Sequence, residues 1–289
     1  MTLSRPEVLR LLEDNRISPS RALGQNFVAD PNTVRRIARL AGVGPGDHVV
    51  EIGAGLGSLT LALAETGASV VAVERDRWLV PVLKDVLAAR APGAPVRVVE
   101  ADAMTLDWSA LLGAGTGWAL VANLPYNVAT PLVADLLDKV PAVQRMLVMV
   151  QREVGQRLVA PPGDPAHGAV SVKVAYWAEA ALVGTVPSSV FVPQPRVGSA
   201  LVSLKRRDEP LVGPSVVPAP ELFRVVRAGF AQRRKMLRRA LAGLNVSSGV
   251  FAAAGIDGQA RAEQLSVEDW GRLAAAIAAS VGPVGSVGA

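Results

Sequence analysis

Between His48 and Glu153 the chain alternates short apolar runs with helical stretches, and little else separates them. The runs are "HVVEIG" (48–53), "SVVAVERD" (69–76), "VRVVEADAM" (96–104), "WALVANLPY" (118–126) and "QRMLVMVQRE" (144–153). Helical spacing fills the gaps in "LTLALAETG" (59–67), which Gly67 stops, in "WLVPVLKDVLAA" despite Pro81, and in "TPLVADLLDKV". Strand and helix in repeated alternation predict an α/β fold with a parallel sheet covered on both faces. The runs carry no polar alternation, as expected of strands buried on both sides.

Flanking segments set the domain expectation. "RPEVLRLLEDN" has helical spacing, and "PNTVRRIARLAGV" reads as a helix capped by Asp30 with Pro31 at its first position. Runs at 181–187 and 199–207 suit an antiparallel hairpin at one sheet edge. Four prolines in "RDEPLVGPSVVPAPE" then suggest a linker. We therefore expect a main domain over 1–209, with 1–30 as an N-terminal extension, a Pro-rich linker over 210–220, and a small helical domain over 221–289. The last ten residues, "SVGPVGSVGA", read as a frayed tail.

Composition excludes some chemistry. The 289 residues include no Cys, so disulfides and Cys-ligated metals are out, and with only His48 and His167 no metal site is expected. The formal charge of +5 weakly favours a polyanionic partner. The charged N-terminus has no signal-peptide centre, and no apolar run reaches membrane-spanning length. A soluble, cytoplasmic protein with no membrane partner is expected.

Strand ends hold the candidate site. Gly53, Gly55 and Gly57 permit a tight turn and close approach of a ligand to the backbone. Alone, such a turn serves equally as packing. Glu74 ends the next strand, where an acid can accept from two ribose hydroxyls; Asp102 follows the third, where a carboxylate can recognise an adenine amine. Either acid alone fits a helix cap as well. Together they converge on one crevice and point to an adenosine-containing cofactor.

A fourth strand ends in Asn123-Leu124-Pro125-Tyr126. Pro125 biases Leu124 toward an extended backbone, which aims its carbonyl; the Asn123 side chain adds a second neutral acceptor. Two acceptors suit an –NH₂ group, and Tyr126 offers a face for a base, a stack worth about 1–3 kcal/mol. The exocyclic amine of adenine is a poor nucleophile because its lone pair is delocalised. Acceptors on both hydrogens favour a pyramidal nitrogen that can take a methyl group in line. The tetrapeptide by itself also fits an ordinary strand-ending turn. The G-x-G-x-G spacing disfavours a nucleotide-dependent oxidoreductase.

Basic residues crowd a third region. "ELFRVVRAGFAQRRKMLRRAL" carries an apolar stripe of Phe223, Val226, Phe230, Leu237 and Leu241 and reads as one helix. Arg224, Arg227, Arg233, Arg234, Lys235, Arg238 and Arg239 face a single acid, Glu221. A solvated helix is the plain reading; that density also suits phosphate contacts.

In order along the chain, "LGQNFVAD", "EIGAGLGSLT", "VVAVERD", "EADAM", "NLPYN", "VQREVGQRLVAPPGDPAHGAVSV", "FVPQPRVGSALV", "FAQRRKMLRRAL" and "RAEQLS" resemble the motifs of the ribosomal RNA adenine N6,N6-dimethyltransferase family. The resemblance implies a Rossmann-like class I methyltransferase sheet and S-adenosylmethionine as cofactor. It implies that Gln25, Asn26, Val28, Gly53, Gly55, Glu74, Asp102 and Asn123 line the cofactor site. Asn123 and the Leu124 carbonyl would hold the target amine, with Pro125 between them and Tyr126 and Phe191 sandwiching a flipped adenine. Arg227, Arg233, Arg234, Lys235 and Arg238 would contact rRNA. The last four motifs favour the small-subunit (16S) branch, acting as a monomer on two adjacent adenosines, over the large-subunit branch linked to macrolide resistance; an assembly factor with little catalysis is the other alternative. Ala54 and Val28 depart from the family's usual proline and leucine. The 18–29 segment is expected to be mobile until cofactor or RNA arrives.

Overall fold

The computed structural model describes residues 2–20, 22–113, 115–244 and 246–281. The chain forms two compact units, Met1–Gly155 with Ala180–Arg206, and Gln156–Glu179 with Arg207–Ala289.

In the first unit, α1 (Arg5–Asp14) and the two-residue β1 (Phe27–Val28) precede α2 (Pro31–Ala41). Asp30 caps α2 as expected, its carboxylate accepting from the Thr33 N–H at 2.8 Å. There follow β2 (His48–Ile52), α3 (Ser58–Ala64), β3 (Ser69–Glu74), α4 (Leu79–Arg90), β4 (Val96–Glu100), α5 (Trp108–Leu112), β5 (Trp118–Asn123), α6 (Ala129–Lys139), β6 (Val143–Gln151) and α7 (Arg152–Val159). After α8 (Ala169–Trp177), of the second unit, come β7 (Ala178–Val186), β8 (Phe191–Val192) and β9 (Ser199–Arg206).

One seven-stranded sheet runs in the order β4-β3-β2-β5-β6-β9-β7. β4 to β6 are parallel, β9 runs antiparallel to β6, and β9 and β7 are neighbours at the edge, where a hairpin was expected. Successive residues Val49 and Val50 of β2 are both fully buried, so both faces are covered. On one face Val34, Ile37, Leu59 and Leu63 of α2 and α3 pack with Val49, Val121 and Leu147. Strand order reverses between β2 and β5, and there the carboxyl ends of the strands open a crevice.

The second unit adds α9 (Ala219–Ala231), α10 (Leu237–Ala240), α11 (Ser248–Ala254) and α12 (Val267–Val281). Its core joins Val172 and Tyr176 of α8 to Leu222, Phe223, Trp270 and Leu273. This differs from the expected boundaries. Residues 156–179 pack with the helical unit because α8 turns Val172 and Tyr176 into its core, the Tyr176 ring meeting Phe223 edge-on at 5.1 Å. Nor is 210–220 a free linker: between its prolines, Val212 and Val217 are buried in the same core.

The expected single basic helix is also broken. α9 ends at Ala231, and Gln232 leaves helical geometry (φ −122°, ψ 49°). Leu237 and Arg238 donate their N–H groups to the carbonyls of Ala260 and Gly258 rather than back along a helix. The apolar stripe survives the break, since Phe223, Val226, Leu237 and Leu241 all reach one core. Residues 282–289, most of the expected tail, lie outside the described residues, as does Arg21 of the 18–29 segment.

Candidate active site

The crevice holds about 1100 Å³, counting the solvent at its mouth. Its wall includes Gln25, Asn26, Val28, Gly53, Gly55, Glu74, Asp102, Asn123, Leu124, Pro125 and Tyr126. Eleven residues singled out from five separate segments thus share one cavity.

The glycine turn follows β2. Gly53, Gly55 and Gly57 have φ of 74°, 58° and 89°, values that side-chain-bearing residues rarely adopt. A Cβ on Gly53 would sit 3.6 Å from the Asn123 carbonyl oxygen, so this turn and the NLPY segment lie against each other. One on Gly55 would press the Phe27 ring at 3.0 Å. Glu74, buried at the end of β3, accepts the N–H groups of Gly55 at 2.7 Å and Asp76 at 2.8 Å. Burial raises its carboxyl above the usual range. Asp102 accepts from the Met104 N–H at 3.0 Å and pairs with Arg75 at 3.2 Å.

Glu51 received no role from sequence. It sits within β2, lines the crevice and is 1% exposed. Its Oε2 has no hydrogen-bond partner among the described residues. Burial pushes its carboxyl up to about 8, with the nearby Glu74 charge adding to the effect. S-adenosylmethionine carries a sulfonium and an ammonium, so a crevice lined by Glu74 and Asp102 and by the glycine turn fits this cation.

The NLPY segment is braced on several sides. Leu124 donates its N–H to the Met149 carbonyl at 3.0 Å, extending the strand pairing by one residue. The Pro125 carbonyl accepts from Val128 and Ala129, which starts α6 directly behind the motif. Asn123 donates Nδ2 to the Asn26 carbonyl at 2.9 Å, which leaves Oδ1 as the acceptor end of its amide. The Tyr126 hydroxyl meets Ser199 Oγ at 2.9 Å, and burial keeps the phenol's pKa above its ordinary value. Ser199 and Asn127 lie within the sequence motifs, and contacts across 73 and 105 residues give each a place at the site.

Phe191 departs from the expected sandwich. It is fully buried among Val28, Val34, Ile37, Leu59 and Leu201. Pairing of β8 with β1 sets Phe191 opposite Val28 and commits its large apolar ring to the core. Of the two residues expected to sandwich the base, the structure brings Tyr126 to the crevice wall.

The expected RNA contacts belong to the second unit. Arg227, Arg234, Lys235 and Arg238 are exposed and make no ion pair among the described residues. Arg233 differs: it pairs with Glu263 at 3.0 Å and donates to the Pro165 carbonyl, which ties it inside the unit.

Comparison with known proteins agrees with this geometry. A family model described as ribosomal RNA adenine dimethylase matches residues 18–279. A "Ribosomal RNA small subunit methyltransferase A" from Kineococcus radiotolerans is 50% identical over 278 residues, covering 94% of this chain and 91% of that protein. Among solved structures, a dimethyladenosine transferase from Plasmodium falciparum matches with a TM-score of 0.70 at 23% identity, covering 84% of this chain and 94% of the other. The 23S rRNA methyltransferase ErmE matches with a TM-score of 0.63 at 26% identity, covering 87% and 99%. A class I methyltransferase sheet, a crevice built for an adenosine-bearing cation and an NLPY segment beside it are joined by a match over most of the chain: it belongs to the ribosomal RNA adenine dimethylase family.

Proposed function

We propose that this enzyme, with S-adenosylmethionine, converts two adjacent adenosines near the 3′ end of small-subunit (16S) rRNA to N6,N6-dimethyladenosine, late in small-subunit assembly. The observation that carries the chemistry is the Asn123 amide. With Nδ2 held by the Asn26 carbonyl, Oδ1 is left to accept from an adenine amine at the same crevice as the cofactor acids. The 50% identity to a small-subunit methyltransferase, against 26% to a large-subunit one, supports the small subunit as substrate.

When bound, the cofactor supplies an electrophilic methyl group. The chain does the rest. Gly53 and Gly55 admit the methionine part, Glu74 accepts from the ribose and Asp102 from the adenine of the cofactor. Tyr126 stacks on the target base, which must leave its own stack to enter. Asn123 Oδ1 and the Leu124 carbonyl accept the amine hydrogens and localise the nitrogen lone pair. The methylated nitrogen is acidic and loses its proton without a strong base. Oriented acceptors and proximity carry the rate.

In the second unit, Arg227, Arg234, Lys235 and Arg238 contact rRNA phosphates. No helix among the described residues is long and apolar enough to cross a membrane. The enzyme works as a monomer in the cytoplasm, where its ribosomal substrate is.

Small subunits lacking these methyl groups, incubated with S-adenosylmethionine and the protein, test the reading by primer extension. Stops at two adjacent adenosines near the 3′ end are expected, and Asn123→Ala should abolish them. Modification of large-subunit rRNA instead would assign the other branch. No modification of either, with cofactor and subunits bound, would make the chain an assembly factor.

A further inference from the structure

The Asn123 amide does not hold its own orientation. Its partner, the Asn26 carbonyl, lies on the segment 22–27, of which residues 23–27 line one side of the crevice. That segment is pinned at two places. Toward the ribose acid, Gln25 Nε2 donates to Asp76 Oδ2 at 2.8 Å, and Asp76 in turn donates its N–H to Glu74. Toward the catalytic motif, Asn127 Nδ2 donates to the Ala22 carbonyl at 2.9 Å. Between these pins Gly24 adopts φ +66°, and a Cβ there would lie 3.0 Å from Asn127 Oδ1 and 3.2 Å from the Tyr126 nitrogen. Asn26 Nδ2 donates back to the Gly24 carbonyl at 3.2 Å, which stiffens the strap.

We propose that Asn127 is a positioning residue that holds this strap against the catalytic motif, so that the Asn26 carbonyl keeps Asn123 Oδ1 turned toward the target amine. The proposal rests on the reading of Asn123 given above. Asn127 also lines the crevice, with its Nδ2 given to the Ala22 carbonyl. It acts by fixing the backbone that fixes Asn123. An amide free to rotate would present Nδ2, a donor, to an amine that needs an acceptor, and the nitrogen lone pair would stay delocalised. Through Gln25, Asp76 and Glu74 the same strap reaches the acid assigned to the ribose, so occupancy of the cofactor site also steadies the acceptor for the adenine.

The test compares wild type, Asn127→Ala, Gly24→Ala and the double variant on undermethylated small subunits. Rates are taken at saturating S-adenosylmethionine, with the cofactor's dissociation constant and the melting temperature measured alongside. The Asn127 side chain is exposed, so its loss leaves the core intact. Asn127→Ala should lower kcat by about 10- to 100-fold, the scale of a small misplacement. Cofactor affinity should change far less, and the melting temperature should hold. Gly24→Ala displaces the strap with Asn127 present and should lower kcat similarly. The double variant should be little worse than either single one, because both break one linkage. An Asn127→Ala rate within twofold of wild type would overturn the proposal, as would a defect that excess cofactor cures or fully additive losses. An inactive wild type would instead overturn the proposed function.

Discussion

At the scale of single residues, the acids in the crevice make a pH argument. Glu51 has a folded-state pKa near 8 against an ordinary 4.5, because burial penalises its charged form. The folded state therefore holds a proton that the unfolded chain releases over that interval. Glu51's contribution to stability is complete below about pH 4.5 and is lost as pH rises toward 8. Glu51→Gln keeps the shape and removes the titration. In urea unfolding the variant should match wild type near pH 5 and gain on it by on the order of a few kcal/mol above pH 8. An equal difference at both pH values would place the Glu51 carboxyl in contact with water. Glu74 and Asp102 were legible in sequence because a strand end followed by an acid has few places to go. Glu51 was not, since a carboxyl inside an apolar strand looks the same in sequence whether it faces a cavity or a neighbour. Phe191 had its place beside the base from the resemblance alone, and the β1–β8 pairing that buries the ring joins segments 163 residues apart in Phe191↔Val28.

At the scale of elements, the sheet was nearly all readable, because apolar runs and glycine stops mark each strand regardless of tertiary context. The basic stretch was not. Its apolar residues keep helical spacing across a turn, and only the pull of the Ala260 and Gly258 carbonyls on Leu237 and Arg238 shows the break. The break sorts the arginines. Reversing charge at Arg234 and Lys235, both exposed, should weaken subunit binding and reduce the slope of its salt dependence by about 1–2. An unchanged slope would take the turn away from the RNA. Arg233→Ala should act differently, since it strips Glu263 and the Pro165 carbonyl of their partner. Its mark should fall on thermal stability.

At the scale of the whole molecule, the two units are interleaved in sequence: 156–179 belongs with 207–289. Composition pointed to the proline-rich stretch as the border, but prolines report backbone stiffness and not which core receives the valines between them. A chain ending at Arg206 should be poorly soluble, because Val172 and Tyr176 lose their partners. Replacing 156–179 with a short linker in that truncated chain should restore solubility; failure to do so would make α8 part of the first unit's core. Interleaving also orders events at birth. The polypeptide emerges amino end first at about 5–20 residues per second. Tyr176 leaves the exit tunnel roughly a hundred residues ahead of Ile277, a member of the same core. For several seconds α8 is a greasy helix without a home, so nascent chains should need shielding there, and a stall in the last quarter of the message leaves the second unit unfinished.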